Sequence, residues 1–233
     1  MNLRLLALAT MFCFLSAPSL AKDNTTAKPR PSKPKAKSTA KPAPKATAKT
    51  TKPVQPSRPA VVRITDSRDG KSYPTVVIGT QTWMAQNLNF SVPGSACYEN
   101  KKQNCEELGR LYDWNMAKSA CPEGWHLPTE EEWDLLEQVA GGDSAGYHLK
   151  SSSGWENQGN GPDSKGFDGI PSGDLNKTGL YLRRGVSASY WTASSKFGGG
   201  AWFRSLHFFD TRIIHDNTEK SAGFSVRCVK GGA

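Results

Sequence analysis

The sequence carries little that would make it a familiar enzyme or a membrane protein. Its 233 residues contain no His-Glu-x-x-His pair and no glycine loop of the phosphate-binding kind, so zinc-peptidase and P-loop chemistry are not written into it. Histidine is scarce: there are four, and His148, His207 and His215 have no partner at metal-ligand spacing. Past Ala17 no apolar run is long enough to cross a bilayer, which takes about 20 residues as a helix. Residues 22–60 lack aromatics altogether and hold one large aliphatic, Val54. Such a stretch cannot bury enough apolar surface to offset the entropy of ordering it, so no folded domain is expected before residue 61.

What is present at the start reads as an export signal. Met1 to Arg4 is positively charged, Leu5 to Ala17 is almost unbroken apolar sequence, and Ser19-Leu20-Ala21 supplies small residues before Lys22. Residues 1–21 are therefore expected to be a cleaved signal peptide. Cys13 is not a lipid-attachment site on this reading, because Met11 and Phe12 before it are bulky. The protein is expected to be exported to the periplasm, the outer surface or the medium, without a transmembrane segment.

The net charge of +9 divides unevenly. Residues 22–60 hold eleven Lys or Arg against Asp23 alone, a net of +10, whereas from Val61 onward eighteen bases face twenty acids, a net of −2. Lys-Pro recurs at 28–29, 33–34, 41–42 and 52–53. The segment 22–60 is expected to be a disordered, extended basic tether. It suits anionic polymers, which a polycation binds with counter-ion release; nucleic acid is not expected as a partner.

Four cysteines follow the leader: Cys97, Cys105, Cys121 and Cys228. An even number in an exported chain points to two disulfides. Of three possible pairings, the simplest joins Cys97 to Cys105 locally and Cys121 to Cys228 over a long range. The second would close a loop of about 100 residues, contributing roughly 4–5 kcal/mol in the chain-entropy model. A four-cysteine zinc site would need tighter paired spacing.

All seven tryptophans lie in residues 61–233, which read as one domain with a substantial core. Thr75–Ile78 and Thr82–Asn89 flank Gly79-Thr80-Gln81 as a hairpin. A first helix is expected over Leu111–Ser119, stopped at Cys121-Pro122. A second begins at Thr129, where Glu132 three residues on makes a capping box and Glu130 and Glu131 suit the positive end of the helix dipole. Trp133, Leu136 and Ala140 share its inner face, and Gly141-Gly142 ends it. Residues 141–173 read as long loops. Strands are expected at Tyr190–Ser194, Ala201–Phe208 and Phe224–Val229. Helices early and antiparallel strands late give an α+β fold.

Several ordered motifs carry a resemblance. They are Ile78-Gly-Thr-Gln-Thr-Trp-Met-Ala-Gln-Asn-Leu88, Gly109-Arg-Leu-Tyr-Asp-Trp-Asn115, Cys121-Pro-Glu-Gly-Trp-His-Leu-Pro-Thr129 with Glu132-Trp133, and Gly223-Phe-Ser-Val-Arg-Cys-Val229. Together they resemble the Fibrobacter succinogenes major paralogous domain, from about Tyr73 to Lys230. Gly124 to Trp133 is more distantly similar to formylglycine-generating enzymes, and that resemblance implies a C-type-lectin-like fold with two helices and small antiparallel sheets. Those enzymes use two cysteines close together near the C-terminus. Here only Cys228 lies there, so the resemblance carries the fold without the activity.

The remaining chemistry favours binding. Glu130–Glu132 are explained by capping, and Asp163, Asp168, Asp174 and Asn176 could supply oxygens to Ca²⁺ but read more simply as turn residues. No other cofactor or metal site is expected. Phe197-Gly-Gly-Gly-Ala-Trp-Phe-Arg-Ser-Leu-His-Phe-Phe209 interleaves stacking and hydrogen-bonding groups. Trp202, Arg204, His207 and Arg212 are the candidate ligand contacts. The expected function is a non-enzymatic, adhesive binding module recognising polysaccharide or a surface protein. The alternatives are an enzyme acting on an extracytoplasmic substrate and a structural envelope protein.

Overall fold

The computed structural model describes residues 61–231. The expected signal peptide (1–21) and tether (22–60) lie outside the described residues.

The expected hairpin forms from β2 (Ser72–Ile78) and β3 (Gln81–Met84), with Ile78 opposite Gln81. Only two residues are left for the turn, and Gly79 takes the left-handed φ of +62° that so tight a reversal requires. Strand β1 (Arg63–Thr65) pairs with β2, β4 is Trp125–His126, and β10 (Val229–Lys230) enters between β3 and β4. The first sheet thus has the order β1-β2-β3-β10-β4, every pairing antiparallel.

Among the described residues there are four α-helices where two were expected: α1 (Lys102–Leu108), α2 (Trp114–Ala120), α3 (Glu130–Ala140) and α4 (Ala145–Leu149). The first of the two expected helices begins three residues late. Leu111 and Tyr112 are extended and bridge Ala96 and Phe224, and Asp113 starts α2 by accepting a hydrogen bond from Met116 N at 2.8 Å. Helix α3 falls where the capping box puts it: Thr129 Oγ1 accepts from Glu132 N at 3.2 Å, and Glu132 Oε2 accepts from Thr129 N at 2.8 Å.

The second sheet has the order β6 (Tyr181–Arg184), β5 (Ser172–Leu175), β7 (Ser187–Ser195), β8 (Gly200–His207), β9 (Ile214–Glu219). Strand β5 runs parallel to β7, so the sheet is mixed rather than wholly antiparallel. The segment expected to be a strand at 224–229 instead changes partners along its length. Phe224 bridges Tyr112, Ser225 bridges Tyr190 in the second sheet, and Val229 pairs with Trp83 in the first. It is buried throughout, as a segment threading between two sheets must be.

Two apolar clusters result. One gathers Tyr112, Trp114, Trp191 and Phe224; the other gathers Trp83, Trp133, Phe167 and Tyr190 beneath α3. The Trp83 and Trp133 rings lie 5.0 Å apart, within the range of favourable aromatic pairs. Both disulfides are formed as expected, Cys97–Cys105 and Cys121–Cys228. The architecture is α+β.

Candidate functional site

Strand β8 presents alternate residues to two environments. Arg204 and Leu206 face α3, and Leu206 joins the cluster beneath that helix. The Arg204 guanidinium, only 2% exposed, donates to Glu130 Oε1 at 2.9 Å and to Asp134 Oδ1 at 3.0 Å. It is a buried partner of α3, which takes it out of the set of accessible ligand contacts. Trp202 shares its side of the strand and is half-buried, with the Lys196 ammonium 5.6 Å over its ring. His207 faces the opposite way, and Arg212 lies beyond the strand, exposed and paired to Asp210 at 2.9 Å. The four sequence-predicted residues therefore do not converge.

The opposite face of the sheet carries two hollows. A hollow of about 120 Å³ is lined by Arg183, Phe203, Ser205, His207, Ile214 and Asp216. A second of about 290 Å³ is lined by Asp174, Asn176, Lys177, Thr218, Glu219 and Phe224 together with the same Arg183. At the junction, Arg183 donates to both oxygens of the fully buried Asp174, at 2.6 and 2.7 Å. Its backbone has φ +62°, a left-handed conformation that costs a bulky residue energy and is concentrated at functional sites. Ser205 Oγ and His207 Nε2 lie 3.0 Å apart. Burial, then the charge of Arg183, pushes the His207 pKa down and favours the neutral ring.

The four oxygen-bearing residues considered for Ca²⁺ are not brought together. Asp163 Oδ1 accepts from Asp168 N at 2.8 Å, Asp174 holds Arg183, and Asn176 Oδ1 accepts from Thr178 N and Leu180 N at 3.0 and 2.9 Å. The cation among the loop's oxygens is a side chain. Arg227, fully buried, donates to Asn87 Oδ1 at 2.6 Å, Met84 O at 3.1 Å, Asp168 O at 2.7 Å and the carbonyl of Phe167. Its guanidinium also lies 4.5 Å over the Phe167 ring. Burial pushes its pKa down. Arg227 belongs to the terminal Gly-Phe-Ser-Val-Arg-Cys-Val motif, yet its role as the pin of the glycine-rich loop has no local signature.

Residues 76–230 match the Fibrobacter succinogenes major domain. The chain belongs to that family. No curated protein and no solved structure matches it. In this Fibrobacter succinogenes major domain the motif residues are those that join the elements. Gly109 has φ +78°, and a Cβ there would lie 2.6 Å from Asn87 Cβ. Trp114 Nε1 donates to Thr192 O at 2.9 Å, and Thr129 caps α3. The motifs mark the frame, and neither hollow is built mainly from them.

Two further features of the domain escaped sequence reasoning. Gly142-Asp-Ser-Ala-Gly146 has the Gly-x-Ser-x-Gly spacing of a hydrolase nucleophile elbow. It follows a helix rather than a strand, and Ser144 Oγ donates to Gly141 O at 3.0 Å, so no elbow forms. His215, which has no ligand-spaced neighbour in sequence, is brought by β9 to Asp134 and Glu137 of α3, with one ligand atom from each within 4.8 Å of the others.

Proposed function

We propose that this Fibrobacter succinogenes major domain is a non-enzymatic binding module. In this reading it holds a neutral glycan segment across the two hollows between the β5–β6 hairpin and strands β8 and β9. The observation that carries the reading is Arg183. One side chain lines both hollows, is fastened to a buried carboxylate, and sits on a left-handed backbone. Acids and bases nearly balance there: Asp174, Asp216 and Glu219 against Lys177 and Arg183, with Lys177 itself paired to Glu219 at 2.7 Å. That balance suits hydroxyl groups better than a polyanion. Phe203, half-buried on this face, supplies the apolar surface on which a sugar ring stacks.

A C-type-lectin-like arrangement fits this proposal, with a terminal segment tied back to Cys121 and ligand groups on a late sheet. Export also fits. Two disulfides persist in oxidising compartments, and among the described residues no helix is long and apolar enough to cross a membrane. The basic tether would then hold the domain near anionic envelope polymers.

The test is a glycan array probed with the full chain, followed by titration of any glycan that binds. Asp216 is exposed at the rim, so Asp216→Ala leaves the fold intact; it should weaken binding about tenfold or more, the loss of a charge-assisted hydrogen bond. Arg183→Ala should do the same, and Arg212→Ala should not. Binding lost with Arg212→Ala and retained with Asp216→Ala would overturn the placement. The Ser205–His207 pair invites a hydrolytic reading. Among the described residues no carboxylate hydrogen-bonds His207 to orient it, and shortening of a bound glycan would be the outcome in its favour.

A further inference from the structure

We propose that Asp134, Glu137 and His215 form a binding site for one borderline divalent cation of the Zn²⁺ class, on the opposite side of the second sheet from the hollows. The ligand atoms come from two regular elements. Asp134 and Glu137 are spaced i, i+3 on α3 and so lie on one face of the helix. His215 stands on β9 directly across from Arg204 of β8. One ligand atom from each residue lies within 4.8 Å of the other two, the spacing of groups that converge on a single ion. The His215 ring meets Glu137 Oε2 at 2.6 Å through Nε2. All three side chains are open to solvent, at 59%, 21% and 39%, so a cation has a path to them.

The charges around the site point to the same ligand independently of its shape. Helix α3 turns three carboxylates, Glu130, Asp134 and Glu137, toward this part of the sheet, and one guanidinium, Arg204, faces them. Arg204 is divided between Glu130 and Asp134 and does not reach Glu137. With three carboxylates against one guanidinium, the group is left net negative. Arg204 also fixes Asp134 by one oxygen, Oδ1 at 3.0 Å, and leaves the other for a metal; hydrogen bonds of this kind orient ligating carboxylates. An imidazole with two carboxylates is a nitrogen–oxygen set. Zn²⁺ accepts such a set with water in the remaining position, whereas Ca²⁺ and Mg²⁺ call for oxygen throughout.

The experiment is isothermal titration of the full chain with ZnSO₄, and separately with CaCl₂ and MgCl₂. One Zn²⁺ per chain is expected, together with a rise in melting temperature and no binding of Ca²⁺ or Mg²⁺. His215→Ala and Glu137→Gln should each weaken Zn²⁺ binding by about tenfold or more, the scale on which ligand-shell changes act. His126→Ala should leave it unchanged, although His126 forms a comparable pair with Glu132 of the same helix. Absence of Zn²⁺ binding up to about 1 mM overturns the site. Wild-type affinity in His215→Ala overturns it equally, since the metal would then sit elsewhere.

Discussion

Arg227 Nε donates to Asn87 Oδ1 at 2.6 Å between two side chains that are both fully buried and stand 140 residues apart. Around this contact, the segment leading into β10 is joined to the stretch after β3 and to the loop carbonyls of Phe167 and Asp168. A guanidinium buried with neutral acceptors is tolerated only because its donors are met. Arg227→Ala leaves Asn87 and three carbonyls to find other partners. It should lower stability by about 3–5 kcal/mol, a cost typical of breaking a buried charged network. Chemical denaturation checks this; a loss under about 1 kcal/mol would mean that water replaces the guanidinium without difficulty.

The Arg204 cluster should respond in the opposite order from a simple count of salt bridges. Arg204 is 2% exposed, whereas its partners Glu130 and Asp134 are 24% and 59% exposed. Removing the arginine as Arg204→Met leaves carboxylates that water can still solvate, and should cost about 1–3 kcal/mol. Neutralising both partners, Glu130→Gln with Asp134→Asn, leaves a buried charge without a counter-charge, and should cost more, about 3–5 kcal/mol. Equal losses in a urea denaturation series would show that packing of the arginine stem dominates.

Burial raises the pKa of Tyr73 and Tyr190 to about 12. In the unfolded chain a tyrosine titrates near 10. The unfolded state therefore loses these protons first. The stability they contribute is complete below about pH 10 and is lost as pH rises through about 12. Thermal melts between these limits should show a falling melting temperature. Among the described residues Tyr190 Oη meets no partner at good hydrogen-bond geometry, although the Arg227 guanidinium lies beside its ring, so Tyr190→Phe should be neutral or slightly stabilising at pH 7 and should flatten the alkaline decline. A clear loss of stability at pH 7 would reveal a partner for that hydroxyl.

What could be read in the sequence was local. The capping box of Thr129 and Glu132 and the inner face Trp133, Leu136 and Ala140 each lie within a few residues and are where the pattern put them; the reversal expected at Gly79-Thr80-Gln81 is there too, but Gln81 already belongs to β3, which stops at Met84 rather than Asn89. Both disulfides were legible from the even number of cysteines and the simplest pairing of them. Helix α1 was not, because Lys-Gln-Asn-Cys-Glu-Glu-Leu has no apolar period; Cys105 is tied to Cys97, and Asn104 Nδ2 donates to Tyr98 O at 2.8 Å. The placement of the candidate residues was hidden for a different reason. Period-two alternation correctly separates Arg204 from His207, but it cannot tell which face a distant helix will cover. Nor does Tyr-Leu-Arg-Arg announce that its first arginine will take a left-handed backbone and reach Asp174.

The two disulfides should separate stability from ligand binding. Cys121–Cys228 closes 107 residues and Cys97–Cys105 closes 8. In the chain-entropy model the first contributes about 5 kcal/mol and the second about 2–3 kcal/mol, so the double serine variant of the long bridge should be the less stable. The short bridge, however, holds the loop that backs the β5–β6 hairpin. Tyr98 packs on Tyr181 with ring centroids 5.3 Å apart, Asn104 accepts from Arg184 at 3.1 Å, and Tyr181 donates to Asn100 at 2.8 Å. That hairpin carries both Asp174 and Arg183. Cys97→Ser with Cys105→Ser should therefore weaken glycan binding at a temperature where the variant is still fully folded. The long-bridge variant, measured well below its own melting temperature, should bind as the wild type does. Equal affinity in both variants would show that β5 and β7 hold Arg183 in place without the stapled loop.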